Sequence, residues 1–493
     1  MVRSTSIYTE VTDSSAITNV PLTSPVRPTA VNAPMRASSS STRKPANEPV
    51  ASSRVNSPVS ASTAHVPSSS AAASSCACSA TSTASARLTS SGASPSTRQT
   101  PTIAAAATIA SSTTTVTTVR RRGLMAAHGS LGPLMKLRDL RTGLTFDDVL
   151  IVPQRSSIRS RSHVSVRTRL SRSIPLDLPV IAANMDTVCE HEMAIAMGRL
   201  GGAGIVHRFM PIDAQAAQIA AIRSADDGSL VAGGAVGTDH DMGDRAKALV
   251  AAGADVLVLD IAHGHADHAI DGVRRLKDHF ADTDVIAGNV ATIDGAIDMA
   301  EAGADAIKVG VGPGGVCTTR LVAGVGVPQL SATDSVVNGL ADAGFDVPVI
   351  ADGGIRTSGD IAKALAVGAE TVMIGSMLAG TKESPGEVEQ GPHGLRKRIR
   401  GMASFEAIEA RAERHGEEID DEYFEQRAPE GVEGTVPYRG EAGKLIGELM
   451  AGLRSAMSYT NARSLAEFTE RTEFVAVTPL GLAENTPHAT LSY

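Results

Sequence analysis

From Leu137 onward the chain alternates between two hydrophobic patterns. Short apolar runs rich in Val, Ile and Ala recur at residues 180–184, 204–207, 234–237, 256–260, 285–289, 306–310, 349–353 and 372–376. Between them lie stretches with helical spacing, among them 244–253, 292–303, 332–344 and 358–368. Those four end in Ala-Gly or Val-Gly, a helix C-cap signal. Eight strands joined by helical connections predict parallel βα units and, by their number, a (β/α)8 TIM barrel of the α/β class. A doubly wound open sheet is the alternative, but the usual G-x-G-x-x-G turn after a first strand is missing. Residues 444–457 read as a closing helix.

Residues 1–134 carry no sustained apolar period and are rich in Ser, Thr, Ala and Pro. Such a segment cannot bury enough surface to offset its ordering entropy, so a long disordered N-terminal tail is expected. A misplaced start codon, with Met125 or Met135 as the true beginning, and a transit peptide are competing readings of the same composition. The domain reading is therefore a tail, 1–134, and a catalytic barrel, 135–493.

Composition narrows the class. Of 493 residues 42% are apolar, Trp is absent and aromatics are 3%, so the core must rest on Val, Ile, Leu and Ala. Four cysteines do not make a disulfide scaffold. No uninterrupted apolar run approaches the roughly 20 residues of a membrane span. Net charge is −8, which argues against a nucleic-acid partner. Residues 1–122 hold eleven basic and three acidic groups, a net +8, leaving −16 on the remainder.

In a barrel of this kind chemistry sits on loops at the C-terminal strand ends. After the sixth strand comes Gly310-Val-Gly-Pro-Gly-Gly-Val-Cys317-Thr318-Thr319-Arg320. Glycines let backbone approach a ligand, and Cys317 would project into the barrel mouth as a nucleophile. A buried structural cysteine is the bland alternative. After the seventh and eighth strands come Ala351-Asp352-Gly353-Gly354-Ile355 and Ile374-Gly375-Ser376. These loops form the usual phosphate cradle of the fold, with Asp352 as a ribose acceptor; plain turns are the alternative. After the fourth strand, Asp260-Ile261-Ala262-His263-Gly264-His265 lacks a third ligand for zinc. Asp260 reads as a ribose acceptor, and His263 as a hydrogen-bonding group or a satisfied core histidine. From about 380 to 434 the chain is polar, weakly periodic and too long for an ordinary loop, so a mobile flap is expected.

Taken together, segments 310–320, 351–356, 373–387, 400–404 and 429–440 resemble the family containing IMP dehydrogenase and GMP reductase. Leu144-Thr-Phe-Asp-Asp-Val-Leu150 and Ala183-Asn-Met-Asp-Thr-Val188 agree. The resemblance covers about 137–483 and implies a barrel, usually tetrameric, that binds a purine mononucleotide and a nicotinamide cofactor. By motif, Cys317 would attack purine C2, with Thr319 and Glu383 handling a proton. Carbonyls of Gly312, Gly314 and Cys317 would hold a monovalent cation such as potassium. Asp352, Gly353, Gly354, Gly375 and Ser376 would take ribose and phosphate; Arg400, Gly401, Met402, Ala403, Ser404 and Glu430 would surround the base. Asp260, Ile261, Ala262, Gly310 and Gly312 would line the cofactor site. Gly315 stands where both branches of the family carry a serine. The regulatory domain pair that many family members insert after the second helix is missing, since 220–233 runs straight into the third strand.

Direction is the remaining question. The family's dehydrogenases hydrolyse a purine–cysteine thioimidate with a flap Arg–Tyr pair, because neutral water is a weak nucleophile. The matching segment here is Asp421-Glu422-Tyr423-Phe424, with glutamate in the arginine position and Arg427 four residues on. Asn184 and Pro328-Gln329-Leu330-Ser331-Ala332 also look reductase-like. Residues 380–386, 429–434 and His207-Arg208 look dehydrogenase-like. The reading is NADPH-dependent reductive deamination of GMP to IMP and ammonia. The alternative is an IMP dehydrogenase oxidising IMP to XMP with NAD. A non-catalytic nucleotide-binding scaffold, from another class, is disfavoured by the retained Cys317 and Thr319. Cytoplasm is the expected compartment, or an organelle if the tail is genuine.

Overall fold

The computed structural model describes residues 140–415 and 428–485, without the side chains of Arg414 and His415. The tail expected over 1–134 and the flap residues Asp421, Glu422, Tyr423, Phe424 and Arg427 lie outside the described residues.

Eight parallel strands close into a barrel: β1 (Val180–Ala182), β2 (Ala203–Val206), β3 (Gly233–Val236), β4 (Val256–Asp260), β5 (Asp284–Val290), β6 (Ala306–Val309), β7 (Val349–Asp352) and β8 (Thr371–Ile374). Neighbours in sequence are neighbours in space, and β8 returns to β1 with Val372 opposite Val180 and Ile374 opposite Ala182. Every expected strand is present, shifted at its ends by a residue or two. The helices α1 (His191–Arg199), α2 (Ile212–Ser224), α3 (Met242–Ala251), α4 (Asp267–His279), α5 (Ile293–Glu301), α6 (Gln329–Asp342) and α7 (Ser358–Ala366) connect them. Only Ala225–Ala232 joins α2 to β3, so nothing is inserted there.

Local sequence explains these elements. In α4, Ala269, Ile270, Val273 and Leu276 are buried while Asp271, Arg274, Arg275 and Asp278 face solvent, the stripe of a helix lying on a sheet. Thr357 and Asp360 form a reciprocal capping box that starts α7. The barrel core is aliphatic: Ile181, Ile205, Val258, Ile286, Ile307, Ile350 and Val372 are fully buried. The buried aromatics, Phe146, Phe209 and Phe468, all lie outside the barrel strands. The closing helix α8 (Ala442–Tyr459) packs against α1 and α7. A ribbon pairing Val149–Ile151 with Phe474–Ala476 ties the two ends of the barrel unit together. None of the described helices is long and apolar enough to cross a membrane.

The described residues around 380–437 include regular elements. Strands β9 (Glu389–Gly391), β10 (Gly394–Arg400) and β11 (Glu433–Pro437) form an antiparallel sheet, and a helix follows at Phe405–His415. The alternation in β10 is masked because its inward face carries Lys397 beside Ile399, both 2% exposed. The Lys397 ammonium is accommodated by donating to the carbonyls of Thr381 (3.1 Å) and Ser384 (2.5 Å).

Candidate active site

The loop after β6 places Cys317 at the rim, half-buried and free. It is therefore not the buried structural cysteine of the bland alternative. That description fits Cys189, whose thiol burial pushes far up. Backbone pairing holds the Cys317 loop to the segment that leads into β11. Thr318 N donates to Glu430 O at 2.9 Å, Val432 N to Val316 O at 3.0 Å, and Glu430 N to Ala403 O at 3.0 Å. Segments 316–319, 400–404 and 429–432, far apart in the chain, thus become neighbours.

Within this junction Thr319 Oγ1 lies 3.2 Å from Cys317 Sγ and donates to Glu430 Oε2 at 2.7 Å. Glu383, expected to share the proton step with Thr319, is engaged elsewhere. Its Oε2 accepts from Ala442 N at 2.9 Å, at the start of α8, where a carboxylate meets unpaired helix amides. Glu430, expected only beside the base, is the acid that reaches Thr319.

At the centre of the mouth sits a group that sequence reading passed over. Lys308, on β6, has a side chain 3% exposed and donates to Asp352 Oδ2 at 2.8 Å and to Asp260 Oδ1 at 3.3 Å. It also donates to Asn289 Oδ1. Asn289 Nδ2 in turn donates to Asp352 Oδ2 at 2.9 Å and to Gly310 O at 2.8 Å. Burial opposes the Lys308 charge, but Asp352 and Asp260 outweigh it and raise its pKa above the ordinary lysine value. Burial likewise opposes ionised Asp260, and Lys308, Arg208 and Asn184 overcome it and hold the carboxyl below its usual range. The available signal was a lysine inside an otherwise apolar strand, Ala-Ile-Lys-Val.

Glycines bring the loops together. Gly310 has φ +154°, and a Cβ there would lie 2.1 Å from Asp352 O. Gly353 has φ +93°, and its Cβ would meet Pro313 Cγ at 3.0 Å and Gly314 N at 3.2 Å. A Cβ on Gly315 would lie 3.2 Å from Ser376 Oγ. The loops after β6, β7 and β8 therefore converge, with Gly353 and Gly354 against Pro313 and Gly314, and Gly315 against Ser376.

The remaining candidates divide. The Arg400 guanidinium pairs with Asp186, its Nε 2.9 Å from Oδ2, and Asp186 N donates to Met402 Sδ at 3.4 Å. The other oxygen of buried Asp186, Oδ1, has no protein partner. Ser404 is fully buried and its hydroxyl accepts from Ala407 N at 3.2 Å, so it caps the flap helix. Gly401 N donates to Val432 O at 3.1 Å. Ile261 is tied by its backbone to Gly288 and Asn289, while Ala262 and His263 are exposed. His263 is thus not a core histidine; His265 instead contacts Asp298 at 2.9 Å. No cluster of three metal-ligating side chains occurs among the described residues.

A purine nucleotide and a nicotinamide cofactor demand hydroxyl acceptors, anion donors and close backbone approach. Asp260 and Asp352 are carboxylates that would suit the first, the converging glycine loops the last. Arg208 Nε, in a guanidinium whose charge reaches Asp260, is buried without a protein partner. These residues fit such ligands.

Fold and rim together define a (β/α)8-barrel oxidoreductase with a cysteine poised at its mouth. Residues 143–488 match the IMP dehydrogenase / GMP reductase domain model. The chain belongs to this family, which uses a nicotinamide cofactor. It is 37% identical to a GMP reductase of Leishmania major, over 74% of this chain and 99% of that protein. It is 40% identical to an inosine-5′-monophosphate dehydrogenase of Cryptosporidium parvum, over 72% of this chain and 97% of that one. A solved GMP reductase from Trypanosoma brucei, a cysteine-to-alanine variant in complex with guanosine 5′-monophosphate, superposes with a TM-score of 0.67 at 36% identity, covering 72% of this chain and all of that one.

Proposed function

We propose that the protein is a GMP reductase, converting GMP to IMP and ammonia with NADPH as the electron donor. The single observation that carries this reading is the hydrogen-bonded line from Cys317 through Thr319 to Glu430. Cys317 Sγ bonds to C2 of the guanine, and the 2-amino group becomes the leaving group. An amine leaves as ammonia only once protonated. Thr319 Oγ1, within reach of anything attached beside the sulfur, passes that proton on, and Glu430 supplies it. Loss of ammonia leaves C2 joined to Cys317 as a thioimidate. The cofactor, when bound, supplies the two electrons that reduce C2, and the carbon–sulfur bond then breaks to give IMP and the free thiol. Two protons are consumed in all: one joins the thiol's own proton on the departing amine to complete ammonium, and the other restores the thiol when the carbon–sulfur bond breaks.

The sequence supports reduction over hydrolysis. Glu422 precedes Tyr423 where a hydrolytic enzyme would carry arginine, so a base for activating water is missing from that position. Asp352 and the loops around Gly353, Gly354, Gly375 and Ser376 would hold ribose and phosphate, with one hydroxyl fewer at Gly315. Met402, Ala403 and the Arg400–Asp186 pair would border the base. Asp260 would accept from the cofactor's ribose, beside Ile261, Ala262, Gly310 and Gly312. NADPH over NADH follows from the reductase reading itself.

A monovalent cation, potassium in this proposal, suits the turn carrying Gly312, Gly314 and Cys317, whose oxygens are neutral carbonyls. Gly314 O accepts from Cys317 N at 3.1 Å and retains a second lone pair. A homotetramer is the proposed assembly. Leu321 (86% exposed), Val322 and Val325 follow the nucleophile loop as apolar surface that a second subunit would cover. Free nucleotide and reduced cofactor as reactants make the cytoplasm the proposed compartment.

One assay run both ways tests the reading. Incubated with GMP and NADPH, the protein should oxidise the cofactor and release ammonia. Steady reduction of NAD in the presence of IMP, with XMP accumulating, would overturn the reductase assignment in favour of the dehydrogenase.

A further inference from the structure

The Lys308 ammonium has three N–H donors and three protein acceptors: Asp352 Oδ2, Asp260 Oδ1 and Asn289 Oδ1. Its donors are all subscribed, and its side chain is 3% exposed. It has nothing left to offer a ligand directly. What it touches are two carboxylates on opposite halves of the mouth, one at the end of β4 and one at the end of β7.

We propose that Lys308 is a positioning residue that ties the nucleotide subsite and the nicotinamide subsite into one unit by anchoring Asp352 and Asp260 on a single buried cation. The inference rests on the reading of Asp352 as the nucleotide-ribose acceptor and Asp260 as the cofactor-ribose acceptor. Its physical basis is charge balance. Two carboxylates facing the same cavity repel one another, and neither is stable there without a counter-charge. Of the two acids Asn289 donates only to Asp352, whereas Lys308 donates to both. Neutralising Asp260 leaves Asp352 as the one carboxylate bonded to the ammonium, with Asn289 beside it, and the ammonium then settles differently against Asp352. A change on the cofactor side is therefore felt on the nucleotide side, although no atom of Asp260 need touch the nucleotide. Lysine suits this role better than arginine: a compact point charge can sit between two oxygens that a planar fork would not match.

The test measures binding, not turnover. GMP affinity is determined by titration calorimetry, without cofactor, for the wild type, Asp260→Asn, Lys308→Met and the double variant. NADPH affinity is determined for Asp352→Asn in the same way. Asp260→Asn should weaken GMP about tenfold, the size of effect found between residues in one network. Asp352→Asn should weaken NADPH similarly. In the Lys308→Met background the Asp260→Asn effect on GMP should vanish. Unchanged GMP affinity in Asp260→Asn, or an effect that persists undiminished without Lys308, would overturn the proposal. The Asp260→Asn measurement stands by itself, so the question is decided even if Lys308→Met does not fold. Failure of the wild type to bind GMP at all would instead count against the proposed function.

Discussion

Thr319 donates its hydroxyl proton to Glu430 at 2.7 Å while its oxygen lies 3.2 Å from the Cys317 sulfur. The carboxylate joined to Cys317 through Thr319 therefore comes from the flap side of the mouth, across a backbone pairing of Cys317 with Gly431, and in the proposed reaction its protonated form feeds the departing amine. Glu430→Gln keeps an acceptor for Thr319 but cannot supply a proton. It should lower kcat by about 10²–10³, in the range of a lost general acid, with KM for GMP little changed. Glu383→Gln should behave differently. It weakens the contact to Ala442 and should reduce stability by about 1 kcal/mol, with kcat near the wild-type value. Steady-state kinetics on the two variants, together with urea unfolding, separates the roles.

Cys317→Ala should abolish turnover while leaving GMP binding in place, because the glycine loops and Asp352 do not depend on the thiol. Intact-mass analysis of the wild type quenched during turnover should find a purine adduct on a peptide containing Cys317, absent from the variant. Persistent absence of an adduct in the wild type, with turnover continuing, would exclude the covalent route.

Asp186 is 3% exposed and pairs with Arg400, itself largely covered. Asp186→Ala would strand a mostly buried guanidinium, a loss of about 3–5 kcal/mol for a fully buried pair. Glu433, 4.0 Å from Arg400, should hold the measured figure near the lower end. The backbone N–H that donates to Met402 Sδ survives the substitution but loses the Arg400 anchor beside it, so KM for GMP should rise alongside the fall in urea midpoint.

Gly310 leaves no room for a side chain, since a Cβ would sit 2.1 Å from Asp352 O. Gly310→Ala should destabilise the barrel by more than about 3 kcal/mol or prevent its accumulation. Gly344 also has positive φ, +81°, but nothing lies within 4 Å of its would-be Cβ. Gly344→Ala should lose only about 1–2 kcal/mol, the strain of the left-handed conformation alone. Thermal unfolding of the pair distinguishes crowding from backbone strain.

Glu422→Arg should confer some hydrolysis of the Cys317 intermediate, read as XMP formed from IMP and NAD. Arginine there would help a tyrosine-adjacent water lose its proton. No gain of XMP would remove the flap glutamate from the account of reaction direction.

Much of the fold was legible because a barrel strand is a local object. Val256–Asp260 reads Val-Leu-Val-Leu-Asp, and a parallel strand buried on both faces has to be a short apolar run bounded by turns. Cys317 stood out as a candidate for a similar reason, as a cysteine closing a glycine-dense segment at a strand end. The insert missing after α2 could be read from chain length alone. The flap sheet was obscured because Lys397 occupies an inward position and looks like solvent-facing charge.

What the tertiary structure decided is which distant groups meet. Thr319 and Glu430 are 111 positions apart, and only closure of the barrel under the flap sheet brings them within a hydrogen bond. Glu383 and Glu430 are equivalent as letters, yet one holds a helix end and the other reaches the reacting rim. Lys308 went unremarked in its apolar run, because its partners at the ends of β4 and β7 become neighbours only when the barrel closes. Periodicity along the chain is set by each residue's own backbone geometry, whereas pairing across loops depends on how all eight strands close. For that reason the elements and the sulfur could be read in one dimension, and the line from Cys317 through Thr319 to Glu430 and the shared ammonium required three.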